Sequence, residues 1–179
     1  MILMADREIA IPQGVTAKVD GTAVSIRGKL GSTTKKFNPR MIGVRSESGK
    51  LVVFEASNKR LAKRAGYAAQ AFGSELSTAV EGVQNGISKK MVIFYAHFPM
   101  TLEAKPGKVI VKNLFGERAA RETAIVGDTK VEIKGHDVTV KGVDRYDVGQ
   151  TVANIRKVCF ARGNDTRVFQ DGIYIAKEE

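Results

Sequence analysis

Two stretches, "VSIRGKLG" (Val24 to Gly31) and "VIVKNLFG" (Val109 to Gly116), decide how this chain folds. Each begins as an alternating apolar strand, carries a basic residue at its fourth place and reaches a glycine turn at its eighth, and the two lie 85 residues apart. Alternation of this kind marks a half-buried strand, because successive side chains point to opposite faces. Downstream, "GKLVVFEASNKR" (Gly49 to Arg60) and "GHDVTVKGVDRY" (Gly135 to Tyr146) repeat the order glycine turn, strand and helix start at an offset of 86. One residue of drift is a difference in a loop.

A helical pattern follows each of these strands. In the first half Asn58 is placed to cap a segment in which Leu61, Ala65, Ala68, Ala69, Phe72, Leu76 and Val80 recur at three- and four-residue steps, up to the stop signal "QNG" at Gln84 to Gly86. In the second, Asp144 or Asp147 caps a shorter helix with Val148, Val152, Ile155 and Cys159 along one side. The repeat therefore predicts an α+β fold of two tandem duplicated domains, each a small antiparallel sheet or partial barrel packed on one helix. The boundary is drawn at Ser88, giving repeats 1–88 and 89–179, and "KKMVIFYAHF" (Lys89 to Phe98) reads as the buried strand that opens the second.

Composition narrows the function. The 179 residues hold 29 Lys+Arg against 19 Asp+Glu, a formal charge of +10, which favours an anionic partner, nucleic acid before a membrane surface. The longest apolar run, "MVIFYAHFPM" (Met91 to Met100), is about half the roughly 20 residues a spanning helix needs. The N-terminus lacks the pattern of a secretory signal, and the single cysteine, Cys159, suits a reducing compartment, so an intracellular, cytoplasmic protein is expected.

Catalytic and metal chemistry find little support. His97 lies in an apolar run and His136 in a tight turn, neither with an Asp, Ser or Cys at a relay spacing, and Cys159 falls on the inner side of its helix. One cysteine and two distant histidines cannot assemble a usual zinc site. The loop "RGKLGSTTKK" (Arg27 to Lys36) fails the phosphate-loop pattern because Leu30, not Ser or Thr, follows Gly28-Lys29, which disfavours an enzyme acting on a phosphorylated metabolite and leaves a hairpin turn. No cofactor, metal or small-molecule substrate is expected, and no enzymatic activity.

The basic residues group differently. Arg156 and Lys157 fall on the exposed side of the last helix, and Arg162, Asn164, Thr166 and Arg167 follow in the loop behind it, with Gly163 allowing close backbone approach. Guanidinium forks hold phosphate, while amide and hydroxyl groups reach sugar hydroxyls or base edges. Phe169, Ile173 and Ile175 would anchor this tail, "QDG" (Gln170 to Gly172) would turn it, Asp171 would cap local backbone or hold an arginine, and Tyr174 would stack on a base or sit at the rim. The first half has its own cations: Lys35, Lys36 and Arg40 around a loop, and Lys59, Arg60, Lys63 and Arg64 where they oppose the helix macrodipole. With 13 basic and 7 acidic residues up to Ser88, against 16 and 12 beyond it, charge alone favours the first half.

The duplicated units, "YAHFPM" (Tyr95 to Met100), "DVGQTVANIR" (Asp147 to Arg156) and the closing "RVFQDGIYI" (Arg167 to Ile175) resemble the archaeal and eukaryotic branch of the large-subunit ribosomal protein six family, over essentially the whole chain. The resemblance implies a ribonucleoprotein constituent of the large ribosomal subunit that binds ribosomal RNA near the sarcin-ricin loop, where translation factors dock, beside neighbouring ribosomal proteins. It implies that the second domain makes most of the RNA contacts, through Arg156, Lys157, Arg162, Asn164, Thr166 and Arg167, with His97 and Lys177 as further members. An RNA-binding assembly factor outside the mature ribosome is the alternative. Stoichiometric co-sedimentation with large subunits in high salt separates the two.

Overall fold

In the first stretch the alternation is realised as a strand whose Val24 and Ile26 are fully buried while Arg27 is exposed. It belongs to a computed structural model that describes residues 6–47, 49–56, 62–96, 98–161, 163 and 165–176, with Ala62 and Lys63 described through their backbone alone. The chain divides into two compact units, Met1–Gly86 and Ile87–Glu179, each of antiparallel strands and one α-helix, so the fold is α+β. The Asn58 cap and Leu61 lie outside the described residues.

The first unit runs β1 (Arg7–Ala10), β2 (Thr16–Asp20), β3 (Ala23–Arg27), β4 (Ser32–Lys36), β5 (Ile42–Glu47), β6 (Lys50–Glu55) and α1 (Ala62–Asn85). Its strands form two antiparallel sheets, β2-β3-β4 and β1-β6-β5. The glycine-rich loop closes a hairpin: Gly28 N–H donates to the Gly31 carbonyl at 2.9 Å and Arg27 stands opposite Ser32. The end of α1 presses on that turn, where a Cβ on Gly28 would collide with Val83. The helix buries Ala65, Ala69, Phe72, Leu76 and Val80 of the predicted face and Val83 beyond it, leaves Ala68 half-buried, and stops before Gly86, whose φ is +76°.

The second unit runs β7 (Ile87–Phe94), β8 (Thr101–Lys105), β9 (Lys108–Lys112), a 3₁₀ turn (Leu114–Gly116), β10 (Arg121–Ala124), β11 (Lys130–Lys134), β12 (Asp137–Gly142), α2 (Arg145–Val158) and β13 (Gly172–Ile175). Its sheets, β8-β9-β10 and β11-β12-β7-β13, repeat the strand order of the first unit and add β13 at one edge. Val109 and Val111 are fully buried, as are Val24 and Ile26 85 residues earlier. Leu51 and Val53 of β6 are matched by Val138 and Val140 of β12, one residue more than the glycines suggest, because Gly135 lies three residues before its first inward valine and Gly49 two before Leu51. In each unit the two sheets adjoin, β5 against β2 and β11 against β8. The apolar run predicted to open the second half is β7, paired on both sides, by β12 and β13, with Met91 fully buried.

Candidate nucleic-acid interface

The candidate surface is built on the end of α2. Asp144 adopts an extended conformation and its side chain accepts from Tyr146 N–H at 2.9 Å, so it is the N-cap, while Asp147 follows in the first turn and lies against Gly127. Gly127 has φ +58°, and a Cβ there would collide with the Asp147 carboxylate, so a side chain is excluded twice over. Val148, Val152 and Ile155 are buried against the sheet and Thr151 Oγ1 accepts from Val126 N–H at 3.1 Å. With that face fixed, the helical period turns Arg156 and Lys157 outward in the last turn. Cations there favour the helix by opposing the negative end of its dipole.

The helix end is held by a residue that sequence reasoning did not single out. Arg121 of β10 donates to the carbonyls of Val158 at 2.8 Å and Phe160 at 3.1 Å, which the end of a helix leaves without partners. Its guanidinium is clamped in turn by Glu117, whose hydrogen bonds hold Arg121 above its usual pKa. The only local signal is the four-residue spacing of Glu117 and Arg121; their target lies 37 residues further on. Cys159, at the same helix end, is 5% exposed, and burial pushes its thiol up to about 11, so it is packed rather than nucleophilic.

Behind the helix the tail is organised. Gly163 has φ +78°; Asp165 accepts from Arg167 N–H at 2.9 Å through its side chain and from Val168 and Phe169 N–H through its carbonyl, making a one-turn knuckle that presents Thr166 and Arg167 to solvent. Phe169 packs edge-on against Phe115, ring centroids 6.2 Å apart. Asp171, 4% exposed, takes Ala96 N–H at 2.8 Å, a backbone group 75 residues away rather than a local one or an arginine. Ile173 is buried opposite Ile93, whereas Ile175, on the edge strand opposite Met91, is 46% exposed and is not the buried anchor expected. Tyr174 lays its ring over Gly172 and donates its hydroxyl to the Gln170 carbonyl at 2.8 Å.

Of the expected RNA-binding residues, Arg156 and Thr166 line one cleft of about 190 Å³ between the end of α2, the knuckle and β13. Lys157 and Arg167 are exposed but do not line it, and among the described residues none of these three cations is in an ion pair, unlike Lys35, Lys108, Lys112 and Lys141, which meet Glu75, Glu122, Glu103 and Glu132. Arg162, Asn164, His97 and Lys177 lie outside the described residues, as do Lys59 and Arg60 of the first-half stripe. Among the described residues no cluster of three metal-ligating side chains occurs, and no helix is long and apolar enough to cross a membrane.

Residues 98–172, which span β8 to the start of β13, match the family model described as Ribosomal protein L6. The chain is 39% identical over 173 residues to the large ribosomal subunit protein uL6 of Methanocella arvoryzae, covering 96% of each chain. The proteins of the same name from Natronomonas pharaonis and Thermoplasma acidophilum are 38% and 37% identical, over 95% and 94% of this chain and 94% and 93% of theirs.

Proposed function

The chain belongs to the ribosomal protein L6 family, a family of structural ribosomal proteins and not of enzymes, and we propose that its C-terminal unit is the main holder of large-subunit ribosomal RNA. The RNA it holds is the region near the sarcin-ricin loop where translation factors dock. The chain thus works as a constituent of the large subunit, beside other ribosomal proteins, in the cytoplasm. The first unit, for all its greater net charge, plays the lesser part in holding RNA, because a charge sum takes no account of which face each residue occupies.

The observation that carries this reading is the pairing of a braced helix end with an anchored tail, which brings Arg156 and Thr166 into one cleft beside the exposed Lys157 and Arg167. Preorganised cations lose less side-chain freedom on meeting phosphate than cations on a loose tail. If about six phosphates are neutralised, log K falls against log salt with a slope of magnitude roughly 4 to 5. The test is filter binding of the full chain to a large-subunit RNA fragment containing the sarcin-ricin loop, over a salt series. Arg167→Ala and Arg156→Ala are each expected to weaken binding and to flatten the slope by about 0.7 to 0.9. Affinity and slope both unchanged in the two variants would remove this surface from the RNA contact.

A further inference from the structure

The cleft shared by Arg156 and Thr166 holds a group that phosphate neutralisation does not explain. Asp171 lines it, nearly fully buried, and only half of its carboxylate is used: Oδ1 takes Ala96 N–H, while the buried Oδ2 has no hydrogen-bond partner among the described residues. A buried acceptor without a donor is costly, and a carboxylate oxygen more so than a neutral one. Its surroundings are aromatic. Phe160 and Tyr174, 62% and 47% exposed, line the same cleft, with the half-buried Phe169 among them.

Resting on the reading of this surface as an RNA interface, we propose that the cleft receives one unstacked nucleobase, guanine, whose Watson–Crick edge donates to Asp171 Oδ2 while Arg156 and Thr166 hold the phosphate and ribose of the same nucleotide. The volume suits a single planar base; sites for larger metabolites run from about 300 Å³ upward. Sequence-specific RNA recognition works on bases splayed out of the stack, set against aromatic side chains and hydrogen-bonded on their edges. The acceptor selects among the four. Guanine alone offers two adjacent N–H donors, N1–H and the N2 amine, to one oxygen. Adenine and cytosine set a single amine beside a ring nitrogen whose lone pair faces the carboxylate, and uracil sets one N–H between two carbonyls. A negatively charged phosphate would be repelled by Asp171, so the phosphate stays at the exposed Arg156 and the base goes inward.

The experiment uses the full-length protein and four fluorescein-labelled RNA heptamers, UUUGUUU, UUUAUUU, UUUCUUU and UUUUUUU, titrated by fluorescence anisotropy at one low salt concentration. The G-containing heptamer is expected to bind about tenfold more tightly than the others. Asp171→Asn keeps an oxygen for Ala96 N–H but turns an amine toward the donors of guanine, so the preference disappears; a circular dichroism melt checks that the variant is folded. Tyr174→Leu, at an exposed position, removes one aromatic wall and gives a second, independent loss of the preference should the asparagine variant not fold. Equal binding of the four heptamers by the unaltered protein, alongside steep salt-dependent binding of the large-subunit fragment, overturns the base pocket and leaves the interface standing. Failure to bind the fragment as well overturns the interface itself.

Discussion

The two units share a plan, and they differ at the place where the chain leaves the helix. In the first, α1 is 24 residues long, ends at Asn85 and passes through Gly86 directly into β7. In the second, α2 is 14 residues long, and the chain goes on through a knuckle into β13, which covers the β7 edge; among the described residues the matching edge, β1 of the first unit, carries no added strand. Two cations of the first unit have a different setting: Lys35 of β4 is tied to Glu75 of α1, and Arg7 of β1 lies across α1 over Gly73, donating to Gln70 and Ser74. The first unit thus uses these two cations to bind its own helix to its sheets. The second braces its helix with Arg121 from β10, and among the described residues the cations of the last helical turn are in no ion pair. The two units share one scaffold, and the extension after the second helix adds to that copy alone the knuckle and strand that complete the surface proposed as the main holder of RNA.

The largest test of that difference is a matched pair of core deletions. Ile173→Ala, in the added strand, and Leu76→Ala, in α1, each remove a side chain no more than 3% exposed and are expected to cost about 2 to 5 kcal/mol. Hydrogen exchange read strand by strand should show loss of protection in β7 for the first variant and in β6 for the second; loss in both units from either change would end the picture of separately built halves. A smaller effect comes from alkali. Because the Cys159 thiol is raised from 9.0 to about 11, the unfolded chain ionises first as pH climbs. Stability is whole below pH 9 and declines towards 11, by an amount on the order of 2 kcal/mol, and only in the second unit. Cys159→Ala should abolish that decline relative to its own neutral-pH stability in a denaturant titration, and a decline that persists would place its origin elsewhere.

Removing the helix brace is expected to cost about 1 to 2 kcal/mol, since Arg121→Met takes from the Val158 and Phe160 carbonyls the guanidinium that donates to them. Arg121→Lys should restore part of the stability and less of the RNA affinity, because an ammonium cannot reproduce the guanidinium fork that reaches both the helix end and Glu117. Equal recovery of both quantities would reduce Arg121 to a packing residue. The smallest effect is at the surface: Glu8, Glu103 and Glu132 are held below the usual carboxylate range by hydrogen bonds from Lys50, Lys112 and Lys141. Their contribution is present above the ordinary glutamate pKa and lost as pH falls through the lowered values, but all three are exposed to solvent, so Lys50→Ala or Lys141→Ala should leave the thermal midpoint near that of the parent.

Much of the candidate site was legible beforehand, for local reasons. The three- and four-residue spacing of Val148, Val152 and Ile155 settles which way Arg156 and Lys157 face, and Gly163 with Asp165 announces a turn before Thr166 and Arg167. Ile175 misled, since apolar alternation cannot tell a strand beneath a cover from one at a free edge. The targets of Arg121 and Asp171 could not be read from the sequence, because each is a backbone group 37 or 75 residues away along the chain.

Periodicity, capping and turn chemistry act over a few residues, so the sequence by itself determined the repeated strands, the two helices and the exposure of the last helical turn. Tertiary structure decided the rest: that the tail pairs with β7, that an arginine from another strand closes the helix, and that a half-satisfied carboxylate comes to line a cleft beside Arg156 and Thr166. Those contacts join groups far apart in the chain, and their partners are chosen by which polar groups remain unmatched once the apolar faces have been buried.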